Sequence, residues 1–315
     1  MKSKLTRPYA VLCADIHIRD TVPECRTDDF LEVMRQKFMF IINLALQHDV
    51  PLFIAGDLGN WWKWSHELEQ FVIRWLKPLP TVVVIPGQHD LPEHNLGNLG
   101  RSALGVLHEA RVLRLIDRPM GIPIGPDLWV QGFPYGTKIE KLDEKQAKGR
   151  YSIAMWHGMV SDSPADPLGK HIEQVQAKKL LHQFEYDLIL TGDNHRAFVV
   201  EENEKVLVNP GSMMRSRADQ IHHKPRVYLW YPKEYTVKAV YLPIEDGVIT
   251  QEHINRQDQR KDSLEAFVNR IDNIYEVGVE YEENLRQFFA QNKTVQSIED
   301  KVWSAVEEAR RELGE

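Results

Sequence analysis

The sequence predicts an α/β protein built around a largely parallel sheet, with a second sheet packed on it and a helical extension at the C-terminus. Three observations predict this. Apolar runs ending in turn residues alternate with helical patterns from residue 8 to about 133, strand-like segments dominate beyond about 150, and two helical patterns follow a charged stretch near residue 246.

YAVLCAD, PLFIAGD and TVVVIPG, which begin at Tyr9, Pro51 and Thr81, are continuous aliphatic or β-branched runs, as strands buried on both faces are. Between the first two, Thr27 is placed to cap a helix whose Phe30, Leu31, Met34, Phe38, Ile41, Ile42 and Ala45 recur at helical spacing. Ser65 opens a second helix with Leu68, Phe71, Val72, Trp75 and Leu76 on one stripe. Strands joined by crossover helices imply a parallel sheet with helices outside it. Beyond residue 150 come YSIAMWH, DLILTG, RAFVVEE, KVLVNPG, RVYLWYP and YTVKAVYLP, several short enough to pair as hairpins, and a second packed sheet is the economical arrangement for them. The polar segment EDGVITQEHINRQDQRKD marks a boundary that divides 1–245 from 246–315. After it, Ser263 opens a helix bearing Leu264, Phe267, Val268, Ile271, Ile274 and Tyr275, and a second pattern carries Val295, Ile298, Val302, Trp303 and Val306.

Composition bounds the function. With 43% apolar and 27% charged residues, and no apolar run of about 18 residues, neither a disordered chain nor a membrane span fits. The basic opening of MKSKLTRPYAVLCAD leads straight into a strand, so a cleaved signal peptide is not expected and a cytoplasmic location is. Cys13 and Cys25 are the only cysteines and lack Cys-x-x-Cys spacing, which argues against a disulfide framework and a thiolate zinc site. The formal charge of -7 means that any DNA binding is local or shared with a partner. One basic concentration exists, Arg215, Arg217, Lys224 and Arg226 with His222 and His223, readable as phosphate contacts or as a solvated loop.

The chemistry sits at strand ends. Asp15 and His17 are two apart where the first run stops, so a strand's period of two aims both the same way. Asp57 ends the next strand, and Gln88, His89 and Asp90 follow the third, which is where open α/β sheets place their sites. His157 ends YSIAMW, and Asp193 and His195 follow DLILTG. The carboxylates of Asp15, Asp57 and Asp193, gathered in one pocket with four imidazoles and an amide, require cations to offset the negative charge.

In order, the motifs read DIH, GD, GQHD, WHG and GDNH. They resemble the calcineurin-like metallophosphoesterase superfamily, whose motifs run Asp-x-His, Gly-Asp, Gly-Asn-His-(Asp/Glu), a lone His and Gly-His-x-His, over roughly residues 8 to 242. The resemblance implies a four-layer fold, two β-sheets sandwiched between helices. It also implies two divalent metals, one held by Asp15, His17, Asp57 and His195, the other by Asp57, Gln88, His157 and Asp193, with Asp57 as the bridge. His89, oriented by Asp90, is then the side chain placed to protonate the leaving oxygen or stabilise phosphoryl charge. Gln88 stands where the family has Asn, and Asp193 where it has His. The resulting oxygen-rich donor set favours manganese or magnesium over zinc.

Within the superfamily, GDLGNWWKW lacks the Asp-Arg-Gly element of protein phosphatases. VNPGSMMR is similar to a strand and turn of the DNA double-strand-break repair nucleases, the SbcD-like branch, and of some small phosphodiesterases. The leading expectation is a manganese- or magnesium-dependent DNA nuclease, an exonuclease with endonuclease action besides. Its C-terminal helices would dock on an SMC-like (SbcC-like) ATPase or fold back on their own core, and a homodimer is a separate expectation. A phosphodiesterase on a small nucleotide or other diester is the second reading, and a degenerate scaffold that binds other proteins the third. Trp61, Trp62 and Trp64 follow Asp57 closely, either to stack on bases or to pack under a neighbouring loop.

Overall fold

The computed structural model describes residues 7–163, 175–250, 252 and 281–313. Contacts divide the chain into two compact units, Met1–Gln251 and Glu252–Glu315.

In the first unit, β1 (Ala10–Cys13), β2 (Leu52–Ala55) and β3 (Val82–Ile85) pair in parallel, as their continuous apolar character predicts. The crossovers carry α1 (Phe30–His48) and α2 (His66–Leu76), and α3 (Ala103–Glu109) precedes β4 (Arg114–Leu115), which pairs with β3. Ser65 caps α2 as expected, its hydroxyl accepting from the Leu68 amide at 3.2 Å. The cap of α1 is Asp29 rather than Thr27. The Thr27 amide is committed to the Val248 carbonyl, while the Asp29 carboxylate accepts from Glu32, a substitution of roles worth about 1 kcal/mol to the helix.

The second sheet holds β5 (Met120–Ile124), β6 (Leu128–Phe133), β7 (Tyr151–His157), β10 (Leu188–Gly192), β11 (Phe198–Glu202) and β12 (Lys205–Asn209). Short α4 (Glu144–Ala147), β8 (Val160–Ser161), β9 (Val175–Gln176) and α5 (Ala177–Gln183) complete the run. Expecting every late strand in this sheet was wrong for the last two. β13 (Arg226–Tyr231) lies antiparallel to β1 and carries β14 (Thr236–Tyr241) on its far side, so the final hairpin extends the first sheet. Alternation explains the fit: Val227 and Leu229 join the helix-facing core, while Tyr228 and Trp230 join the core between the sheets.

Three apolar layers hold four structural layers together. Val11, Cys13, Ile54 and Val84 face α1 to α3; Ala10, Leu12, Phe53 and Ile85 meet Ile153, Met155, Leu188 and Leu190 between the sheets; Ala154, Ile189 and Leu207 face α5. This is the four-layer α/β arrangement, and it leaves the carboxyl ends of β1, β2, β3, β7 and β10 side by side. The chain stays with this core past the expected boundary at residue 246, because Thr250 bonds to Cys25 and Ile249 bridges to Arg26.

In the second unit, α6 (Tyr281–Asn292) and α7 (Gln296–Leu313) meet through Leu285, Phe289, Val302, Trp303 and Val306. Val295 and Ile298, placed on the same stripe by periodicity, are instead 64% and 50% exposed. The expected helix opened by Ser263 lies outside the described residues. No helix among the described residues is long and apolar enough to cross a membrane.

Candidate metal centre

Four predicted site residues leave their strands in the left-handed region, Asp15 at φ 49°, His17 at 51°, Asp57 at 50° and Asp193 at 79°. Each such non-glycine residue is strained by about 1 kcal/mol or more, and strain of this kind persists only where surrounding bonds enforce it. Here the Asp15 amide donates to Gly56, His17 to the Asp57 carbonyl, and Met213 to the Asp15 carbonyl. The turns aim their side chains into the crevice above the two sheets.

Asp57 is its centre. Its buried Oδ2 has no hydrogen bond, yet Nε2 of His157, His17 and His89 lie 3.6, 3.7 and 4.0 Å away. Its Oδ1 accepts from the His89 backbone at 2.9 Å. Ligand atoms of Asp15, His17 and His195, of His17, Asp57 and His89, and of Asp15, Asp57 and His157 cluster within 4.8 Å. Gln88 sits beside them, its Oε1 2.7 Å from His157 Nε2 and its amide nitrogen donating to Asp193. Asp193 is thus reached through Gln88, while its backbone N–H holds Asp15.

The donors fit divalent cations. Nε2 of His17 and of His195 stand 3.0 Å apart, and burial lowers both imidazoles, His17 to about 3. At that distance one neutral ring can donate to the other, and a cation replacing the shared proton would meet a lone pair on each. Burial raises Asp15, with Asp57 and Asp193 adding to it against the pull of His157. Burial also opposes ionisation of Asp57, but His157, His17 and His89 overcome it and hold the group well below the usual carboxylate range. His157 donates Nδ1–H to the Ala55 carbonyl at 2.7 Å, which fixes the ring so that Nε2, the nitrogen a metal would take once its proton is shed, faces Asp57 and Gln88.

Asp90 has a different role from the one expected. Its carboxylate accepts from the amides of Gly87, Gly59 and Leu58 at 2.9, 2.8 and 3.3 Å, so it ties the β2 and β3 loops together rather than orienting the His89 ring. Burial and the nearby Asp57 charge push it up to about 7 despite those bonds. His89 remains the reactive candidate: its side chain is 39% exposed and lines both cavities at the site.

Asn209, from the VNPGSMMR element, is a clamp. Its amide donates to the carbonyls of Asn194 and Arg196, and its Oδ1 accepts from Thr191. Asn209→Ala strips two carbonyls flanking His195 of their donor and is expected to lower unfolding free energy by about 2 to 4 kcal/mol. Chemical denaturation measures this, and a change under about 0.5 kcal/mol would show that the loop does not depend on the clamp.

The expected nucleic-acid contacts fare unevenly. Arg215 is only 3% exposed and donates to the carbonyls of Glu245 and Ile221, so it faces away from any substrate. Arg217 is exposed, pairs with Asp219 at 3.3 Å and lines both cavities. Trp64 packs in the core with its indole N–H on the Trp61 carbonyl, while Trp61 is 57% exposed and, like Trp62, lines neither cavity. Sequence reasoning missed Arg19, in the 260 Å³ cavity beside Asp15 and His17, and Arg196, in the 830 Å³ groove beyond Gln88 and His195. Arg196 directly follows the last motif, a signal that was available.

A family model described as calcineurin-like phosphoesterase matches residues 10–197, which include every proposed ligand. No curated protein matches the chain. Among solved structures, TT1561 of Thermus thermophilus superposes with a TM-score of 0.48 at 12% identity, over 76% of this chain and 100% of that one. A protein described as a novel archaeal phosphodiesterase does so with a TM-score of 0.39 at 13% identity, over 74% and 99% of the two chains.

Proposed function

The chain belongs to the calcineurin-like phosphoesterase family, a family of metal-dependent hydrolases of phosphate esters, and within it we propose a DNA nuclease of the SbcD-like kind. The observation that carries this reading is the 830 Å³ groove, which starts at Gln88, His89, Asp193 and His195 and continues past Arg196, Arg217, Lys224 and Arg226. A single phosphoryl group fills only its metal end. Cations spaced along the rest suit a strand with several phosphates, and a local stripe of this kind reconciles DNA binding with an acidic chain.

Asp15, His17, Asp57, His195, His157, Gln88 and Asp193 would hold two divalent cations, and their oxygen-rich set suits manganese better than zinc. When bound, such a pair supplies a nucleophile at neutral pH and neutralises charge on the phosphoryl oxygens. His89, held at its backbone by Asp57 and exposed to the groove, donates a proton to the leaving oxygen. Arg217 and Lys224 orient the strand on either side. In the second unit, the exposed Val295 and Ile298 offer an apolar patch to an SMC-like ATPase partner.

The test compares linear duplex DNA, single-stranded DNA and a small chromogenic diester, each with manganese. Arg217→Ala with Lys224→Ala is expected to weaken DNA cleavage roughly tenfold or more and to flatten its salt dependence by about one unit of slope per lost phosphate contact. Hydrolysis of the small diester stays within about twofold, since the metal site is untouched. Cleavage of the diester with no cleavage of either DNA, even beside a candidate ATPase, would sink the nuclease reading and leave a small-molecule phosphodiesterase.

A further inference from the structure

Behind the segment that lines the metal centre lies a cavity of 250 Å³ bounded by α1 and the chain around Pro243–Glu245. Arg26, Lys37 and Arg215 line it, with 8%, 3% and 3% exposure, and Asp28, its side chain 11% exposed, is the carboxylate set deepest among them. Arg26 is fully committed: it pairs with Asp28 through two nitrogens and donates its third to the Arg215 carbonyl. That leaves Arg215 and Lys37 with no carboxylate bonded to either, Asp28 acting on both only from a distance while it pairs with Arg26. Arg215 reaches only backbone carbonyls, and its Nε is buried with no hydrogen bond. Lys37 has no hydrogen bond or ion pair among the described residues, and the Glu245 and Asp246 side chains at the rim are exposed.

A buried cation without an anion is strongly unfavourable, and two beside one cavity are more so. We propose that this pocket is an oxyanion site that takes a phosphate group between Lys37 and Arg215. Arg215 is flanked by Met214 and Ser216, which line the metal-side cavity, so a phosphate here would also brace the strip of chain that carries Arg217 to the groove. Burial, with Arg26 and Arg215 beside it and only Asp28 opposing them, presses the Lys37 ammonium down to about 8, the direction expected of a cation awaiting its partner.

Two sources share this chemistry, free inorganic phosphate and the terminal phosphate of a nucleotide. The experiment titrates inorganic phosphate, and separately a deoxynucleoside 5′-monophosphate, into EDTA-treated protein by calorimetry at neutral pH, so that metal-site binding does not contribute. One ligand per chain is expected. Lys37→Met and the more conservative Lys37→Gln are each expected to weaken it roughly tenfold or more, because a charge-assisted contact is lost. Tighter binding of the nucleotide assigns the site to nucleotides, and equal binding assigns it to free phosphate. Without phosphate, the wild type should also gain stability relative to Lys37→Met as the pH climbs from about 8 toward 10.5, where Lys37 sheds its proton in the folded state first. No binding of either ligand at about 10 mM, well above ordinary Kd values for a built phosphate site, or binding unchanged in both variants, overturns the proposal.

Discussion

Asp57→Asn is expected to reduce phosphoester hydrolysis by roughly 10³-fold or more, about 4 kcal/mol of transition-state stabilisation, with the fold retained. Asn matches Asp in shape and keeps an acceptor for the His89 amide, now 2.9 Å from Oδ1. What it removes is the negative charge on Oδ2, the one atom that faces His157, His17 and His89 together and has no hydrogen bond of its own. Metal content, measured by elemental analysis, should fall with activity. Full metal content beside lost activity would place Asp57 outside the ligand set.

The same substitution has a signature in the metal-free protein. His157 is raised from 6.5 to about 10 chiefly by Asp57, against its burial, and Asp57 is held low in return. A raised imidazole contributes stability that is fully present below 6.5 and fades as the pH rises through about 10. The depressed carboxylate contributes above its ordinary 3.8 and loses its share as the pH falls through its folded value. Between about pH 6 and about pH 10, EDTA-treated wild type should therefore lose stability relative to Asp57→Asn, as read by denaturation of the two proteins side by side. Because a ligand must shed its proton, metal affinity should rise over the same interval.

Gly56→Ala is expected to be nearly as damaging by a different route. Gly56 sits at φ 88°, and a Cβ there would lie 2.0 Å from Nδ1 of His157, the atom that donates to Ala55. Backbone strain and the collision together should destabilise the protein by about 3 kcal/mol or more and displace His157 from Asp57. Gly125→Ala is the control, since Gly125 shares the positive φ, at 63°, but has open space around it. It should cost about 1 kcal/mol with activity unchanged. Equal loss of activity in both variants would mean that the collision with His157 is not the cause.

The parallel strands were legible in the sequence because an apolar run closed by turn residues is a local property, and β1, β2, β3, β7 and β10 all announce themselves that way. The convergence of Asp15, His17, Asp57, His157 and His195 followed from the same rule, since parallel strands bring their carboxyl ends to one edge. Strand partnership is not local. β13 has the alternation of any two-faced strand, and only its antiparallel register with β1 placed the final hairpin in the first sheet.

The direction of a side chain in an irregular segment is likewise settled by its neighbours. Arg215 and Arg217 look alike as neighbours in a basic cluster, yet the carbonyls of Glu245 and Ile221 draw one inward while the other stays in the groove. Asp90 was placed beside His89 by adjacency, but the amides of Gly87, Gly59 and Leu58 had a stronger claim on its carboxylate. The two departures from the family pattern, Gln88 and Asp193, also took their form only in three dimensions, where Gln88 stands between His157 and Asp193. By itself, then, the sequence determined which residues gather at the candidate metal centre and which strands carry them, because period and strand ends are written locally. The tertiary structure decided which groups serve as clamps, which cations lie buried, and the left-handed turns that aim Asp15, His17, Asp57 and Asp193 inward, because those depend on hydrogen-bond partners distant in the chain.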